Sequence, residues 1–208
     1  MELRGFLHCA YYNAKLLLNL NTAAAAVLAL LVPFIFSFTL LQERELARIT
    51  ELYFSITGIA LYSHIASLEW NDNIKEAVYI RKTAYVSIIV LRFVITMLIS
   101  LLLTGAVLLY AQAQGAEFDM MRMLWGTWIS SLFLGSLAFT VINLTGQLPA
   151  GYMLSFAYYL FEYMTKGKHT GIFYLFSLTK GEFYCKYNLL MLTAGLLAVS
   201  LVYIKRKS

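Results

Sequence analysis

Charge is what this sequence has least of. Only 13% of its 208 residues are Asp, Glu, Lys or Arg, against 61% hydrophobic, and the mean hydropathy is +0.71. Uncharged runs of this length belong in a bilayer, so the chain reads as a polytopic membrane protein. Cysteine is scarce too: Cys9 and Cys185 fall on opposite sides of the membrane in the topology below, which excludes a disulfide or zinc framework. Basic residues outnumber acidic ones, 16 to 11, yet they are scattered over loops and the C-terminus. Without a basic tract, nucleic acid is not an expected partner.

The motifs of soluble chemistry are missing as well. The one Gly-Lys pair, Gly167-Lys168, has Glu162 where a nucleotide-binding loop needs its first glycine, so this chain is not expected to hydrolyse ATP. It has no HExxH, no GxSxG and no close pair of intramembrane carboxylates, and no enzyme is expected in it. Neither catalytic residues nor a metal site nor a cofactor site is assigned. A removable signal peptide is not expected either, because no small-residue cleavage site follows a short apolar core.

What is there is a series of apolar segments. Leu3, Phe6, Leu7, Ala10, Tyr11, Ala14, Leu17 and Leu18 follow the helical apolar period, with Arg4, His8, Lys15 and Asn19 opposite, which predicts an amphipathic helix in the membrane plane. Predicted spans follow at 23–41, 52–68, 84–111, 123–145, 150–164 and 187–204. Each is judged by whether a helix rising ~1.5 Å per residue can cross roughly 30 Å of hydrocarbon. The hydrophilic stretch 42–51, QERELARITE, links the first two spans, and Gly146, Gln147 and Pro149 make a tight break before the fifth. Gly171 to Leu178 is an apolar island too short to cross as a helix, so it reads as a re-entrant or surface segment packed on the protein. The expected fold is all-α: a single domain over 1–208 with six transmembrane helices, an in-plane N-terminal helix and a re-entrant segment before the last span.

Lys205, Arg206 and Lys207 argue for a cytoplasmic C-terminus, which six spans match with a cytoplasmic N-terminus. The remaining basic residues do little to help: the totals are eight inside and seven outside, so orientation rests on the terminal cluster and on the resemblance given below.

Between spans two and three lies Glu69 to Lys82, EWNDNIKEAVYIRK. As a helix it sets Trp70, Ile74, Ala77 and Val78 on one face and leaves Asn71, Asp72, Lys75, Glu76 and Lys82 largely elsewhere. Both charge signs within one turn suit docking to another protein; a solvated interfacial loop is the plain alternative. Three polar residues at membrane depth stand as candidate pathway positions. His64 reads as a proton or substrate contact or as a histidine hydrogen-bonded near the interface. Arg92 reads as a path-lining residue or one snorkelling to headgroups. Glu162 stands four residues before Lys166, the favourable order for a helical ion pair. Thr127, Ser131 and Gly135 form a small-residue face for a neighbouring helix.

This order of parts resembles the type 2 ATP-binding-cassette (ABC) exporter permeases over nearly the whole chain. The closest local likeness is Glu69 through Arg81 and Lys82, similar to that family's coupling helix. The resemblance implies a permease subunit that exports an amphipathic or hydrophobic cargo, such as a peptide, drug or lipid. It would work with a second permease subunit, in a homo- or heterodimer, and with a separate ATPase subunit holding ATP and Mg. Glu69, Trp70, Asp72, Ile74, Lys75, Glu76 and Arg81 would contact that ATPase, the 3–18 helix would flank it, and the 146–149 turn would be a second contact. A membrane scaffold, sensor or immunity component that transports nothing is the rival reading. A secondary carrier is disfavoured, since there is no inverted repeat and no candidate ion-coordinating carboxylate.

Overall fold

The computed structural model describes residues 11–39, 41–68 and 85–207. The expected coupling segment 69–82 and the first part of the amphipathic helix, 3–10, lie outside the described residues. What is described is helical, with seven α-helices and two 3-10 turns, and its only β-type pairing is an isolated bridge between Gln42 and Glu117.

The first helix, α1 (Tyr11–Leu17), meets α2 (Leu20–Ile35) at a bend of 66°. Asn19 makes the corner: its side chain accepts from the backbone N–H groups of Asn21 (3.0 Å) and Thr22 (3.3 Å), two donors a helix start leaves free. The expected first span runs to residue 41, but α2 stops at Ile35. Pro33 offers no N–H to the ladder, and Phe36 is already extended.

Next comes α3 (Glu43–Ser67), so the expected hydrophilic link 42–51 is helical instead. Its Glu, Arg, Leu and Ala residues are good helix formers, and Glu43 and Glu45 in the first turn complement the helix dipole. Beyond the undescribed residues stand α4 (Tyr85–Ala113) and α5 (Met120–Thr145). Asp119 caps the start of α5, and Gly146, at φ 70°, closes its end. A two-residue turn leads into α6 (Leu148–Thr165), with Pro149 in its first turn, and α7 (Tyr184–Lys207) ends the chain.

Three of these helices, at Val86–Ala113, Met120–Thr145 and Tyr184–Arg206, are long and apolar enough to cross a membrane, and the bent α1–α2 pair makes a fourth if it counts as one span. That is fewer than the six expected. The helices that fall short are α3, with five charged residues between Glu43 and Glu51, and α6, which has 18 residues and carries Glu162.

The central helix is α5, which packs against α3, α4, α6 and α7. Its seam with α3 is tight. A Cβ on Gly58 would overlap the backbone oxygen of Ser131, and one on Gly135 would overlap the ring of Tyr62. The Thr127, Ser131, Gly135 face is therefore used within the chain, where small residues let two helices approach closely. The outer helices show single stripes inward. Ala25, Ala29 and Val32 do so on α2, and Gly151, Ser155, Tyr159 and Glu162 on α6.

The links at 36–39 with 41–42, at 114–119 and at 166–183 gather at one end of the bundle. The Gln42–Glu117 bridge joins two of them, and Arg122 ties to both Glu43 (3.6 Å) and the backbone oxygen of Gly181.

Candidate functional site

At that linked end part of one link lies inside the bundle. The segment between α6 and α7 turns back through two short 3-10 turns, Gly171–Phe173 and Ser177–Lys180, and buries Tyr174, Leu175, Phe176, Ser177 and Leu178 among the helices. The apolar island at 171–178 is thus packed on the protein, as its length required. Its backbone has left both regular helix and water, so its polar groups need partners inside the fold.

Two side chains supply the core of that pairing. Glu51, in the third turn of α3, and Lys186, at the start of α7, have fully buried side chains and meet at 2.5 Å. The three protons of the ammonium are all used: Lys186 Nζ also donates to Ser130 Oγ of α5 (2.5 Å) and to the Leu175 carbonyl (2.6 Å). The same Glu51 oxygen, Oε1, accepts from the Leu178 backbone N–H at 3.3 Å. Glu162, on the inward stripe of α6, accepts from the Leu175 N–H at 3.4 Å, while Tyr158 donates its hydroxyl proton to the Phe173 carbonyl at 3.1 Å. One cation and two carboxylates thus hold 171–178 by its backbone, and they bind α3, α5, α6 and α7 to it.

Desolvating both charges is expensive and is offset only when the remaining donors and acceptors are filled. Lys186 meets that condition fully. The carboxylates meet it in part, since Glu51 Oε2 and Glu162 Oε1 have no hydrogen-bond partner among the described residues, and so do Ser177 Oγ and Thr170 Oγ1.

Within the same link, outside the helices, burial pushes the Tyr174 phenol up, so it keeps its proton, and Lys180 sits over its ring at 4.4 Å. Among the described residues no group of His, Cys, Asp and Glu is arranged to hold a metal ion.

The expected site residues fall in different places. His64, near the end of α3, meets the side chain of Asn19 at the α1–α2 corner and lies 3.3 Å from Ser67 Oγ. It is one of the groups that hold the bent pair to α3. Arg92 is buried, and its Nε donates to Asn13 Oδ1 at 2.8 Å, which fastens α4 to α1 in place of snorkelling to headgroups. The expected Glu162–Lys166 pair is absent. Lys166 follows the last residue of α6 with a left-handed φ of 51°, so it leaves the helical register that would aim it at Glu162. Glu162 serves the link backbone instead. Glu69, Trp70, Asp72, Ile74, Lys75, Glu76 and Arg81 lie outside the described residues.

Glu51, at the end of the expected hydrophilic link 42–51, and Lys186, just before the expected last span, are the centre of the site. They are 135 positions apart, so no local period pairs them. One signal was present: each charge stands at the head of an apolar run, where an unpartnered ion would be costly. Comparison with protein-family models, with curated proteins and with solved structures finds no match for this chain.

Proposed function

We propose that the chain is the membrane permease subunit of an ATP-driven exporter of the type 2 ABC kind, working as a dimer and driven by a separate ATPase subunit. The observation that carries this reading is the segment between α6 and α7, folded back into one end of the bundle and fastened by Glu51 and Lys186. An export path must be shut at the far end until its cargo is released, and a built plug at one end suits that task. Two further features support it. The 66° bend at Asn19 lets α1 lie across the bundle while α2 runs along it, as an in-plane helix before a first span would. The α5–α6 turn, the end of α3 and the start of α4 all lie at the end opposite the plug, where a soluble motor would press.

On this reading α3 and α6 complete six spans. Past the exposed charges at the start of α3, each turns polar residues inward, Thr50, Glu51 and Ser55 on α3 and Ser155 and Glu162 on α6, so neither needs the all-round apolar surface of a lipid-facing helix. The linked end faces out and the termini face the cytoplasm. ATP binding in the partner shifts the dimer between packings, which requires that the ATPase bind the two packings unequally.

The test is affinity purification of a tagged chain from its native membrane in mild detergent. Recovery of a soluble subunit with a nucleotide loop, and its loss in a Lys75→Glu/Glu76→Lys variant that still folds, supports the permease reading. Recovery of the chain alone, or with membrane proteins only, overturns it in favour of a scaffold or sensor.

A further inference from the structure

At the linked end, the plug, the first turns of α3 and the end of α6 enclose an open cavity of about 650 Å³. Its wall is strongly basic: Arg44, Arg48, Lys166 and Lys180 line it, against the single carboxylate of Glu45. Arg44 and Arg48 are four residues apart on α3 and so share one face of the helix. Lys166 is placed by the left-handed turn that ends α6. Lys180 is held by its own bond to the Lys166 carbonyl at 2.8 Å and by the ring of Tyr174. Arg44, Arg48 and Lys166 form no ion pair with any described carboxylate. Four like charges around one carboxylate leave an excess of positive charge on the wall, and a bound anion offsets their mutual repulsion.

Leu52, Met164 and Phe176 give the lining an apolar part, beside Tyr163, Tyr174 and Thr179. We infer that this cavity binds a phosphate ester carried on an apolar moiety. Two arginines on one helix face present forked donors that match phosphate oxygens, Lys166 adds a third charge, and the apolar side chains of the lining take the attached group. The ester has two sources, a phospholipid headgroup or a soluble phosphate ester. The site belongs to this chain alone and stands whether or not the chain partners an ATPase.

The experiment titrates the purified full chain in dodecyl maltoside with dihexanoyl phosphatidic acid, glycerol 3-phosphate and dihexanoyl phosphatidylcholine, following the shift in melting temperature. Saturable stabilisation by phosphatidic acid, at least tenfold weaker in Arg44→Gln/Arg48→Gln and unchanged in the control Lys168→Gln, supports the site. A response to phosphatidic acid alone assigns the lipid source, and an equal response to glycerol 3-phosphate assigns the soluble one. The absence of any saturable response overturns the proposal. So does stabilisation by phosphatidylcholine as strong as by phosphatidic acid, or a response that the arginine substitutions leave intact. Arg44 and Arg48 are exposed. If the double variant nevertheless fails to fold, Lys166→Gln takes its place, with at least a threefold loss expected and an unchanged affinity overturning the proposal.

Discussion

Helices α4 and α5 are both long enough to span a membrane, and they sit in the fold in opposite ways. Of the most apolar 18-residue stretch of α4, 28% is buried inside the chain; of the corresponding stretch of α5, 78% is. The more buried helix is the less apolar of the two. It carries Thr127, Ser130, Ser131, Ser136 and Thr140 on buried faces, while α4 turns Val94, Leu98 and Leu102 outward. In water the order would be reversed, since burial there is what an apolar residue seeks. Where lipid is the surrounding solvent, tails do for leucine what a core does. The inside of the bundle is then free to hold small side chains that pack closely and polar groups that bond to each other. Even the inward stripe of α4 follows the rule: Thr96, Ser100 and Thr104 point in, and Ser100 Oγ takes bonds from Trp128 Nε1 (3.0 Å) and the Tyr62 hydroxyl (2.9 Å).

The comparison breaks first, and hardest, at the plug. Replacing Lys186 by Met leaves Glu51 buried beside an apolar group, with a destabilisation of about 3–5 kcal/mol expected. Thermal unfolding in detergent would show it, and a shift no larger than that of an exposed-residue variant would contradict the role given to the pair. The next largest effect lies along the α3–α5 seam. Gly58→Ala drives a methyl group into the Ser131 carbonyl and forces the helices apart, for an expected cost of about 1–3 kcal/mol in the same assay. The matching change on an open helix face has the opposite sign. Nothing lies within 4 Å of a Cβ added at Gly195 of α7, so Gly195→Ala is expected to stabilise by about 0.5–1 kcal/mol. Smallest of all is Leu102→Ala on the outer face of α4, where the side chain is 72% exposed; a change within about 0.5 kcal/mol is expected. A large loss there would mean that this face is covered by protein and not by lipid.

How much of this could be read beforehand follows the same division. The apolar helices α4, α5 and α7 were legible because their surroundings are uniform and their composition records it. The Gly146 turn and the packed island at 171–178 were legible because local chemistry alone decides them: one needs a left-handed residue, the other is too short to span. The start of α3 was not. A run as polar as QERELARITE looks like a loop in any count of hydropathy, yet its residues favour helix, and two of its carboxylates find partners in the fold: Glu43 in Arg122 and Glu51 in Lys186. The end of α2 was missed for the reverse reason: Ser37 to Leu41 continues the apolar run, but the proline at 33 and the extended backbone at 36 end the helix first. Glu162 was singled out from its spacing to Lys166, and its true partner, the Leu175 N–H, is a backbone group that no side-chain pattern reveals. Glu51 and Lys186 were invisible as a pair because tertiary folding alone brings α3 to α7.

That Glu51 and Lys186 act as one unit fastening the plug is tested most directly by a double-mutant cycle. It uses Glu51→Gln, Lys186→Met and the two together, with unfolding free energies measured under one set of detergent conditions. A coupling of about 2 kcal/mol or more is predicted, with the double variant more stable than Lys186→Met alone because no unpaired charge stays behind. Losses that add to within about 0.5 kcal/mol would show two independent residues, and would contradict a plug held by this pair.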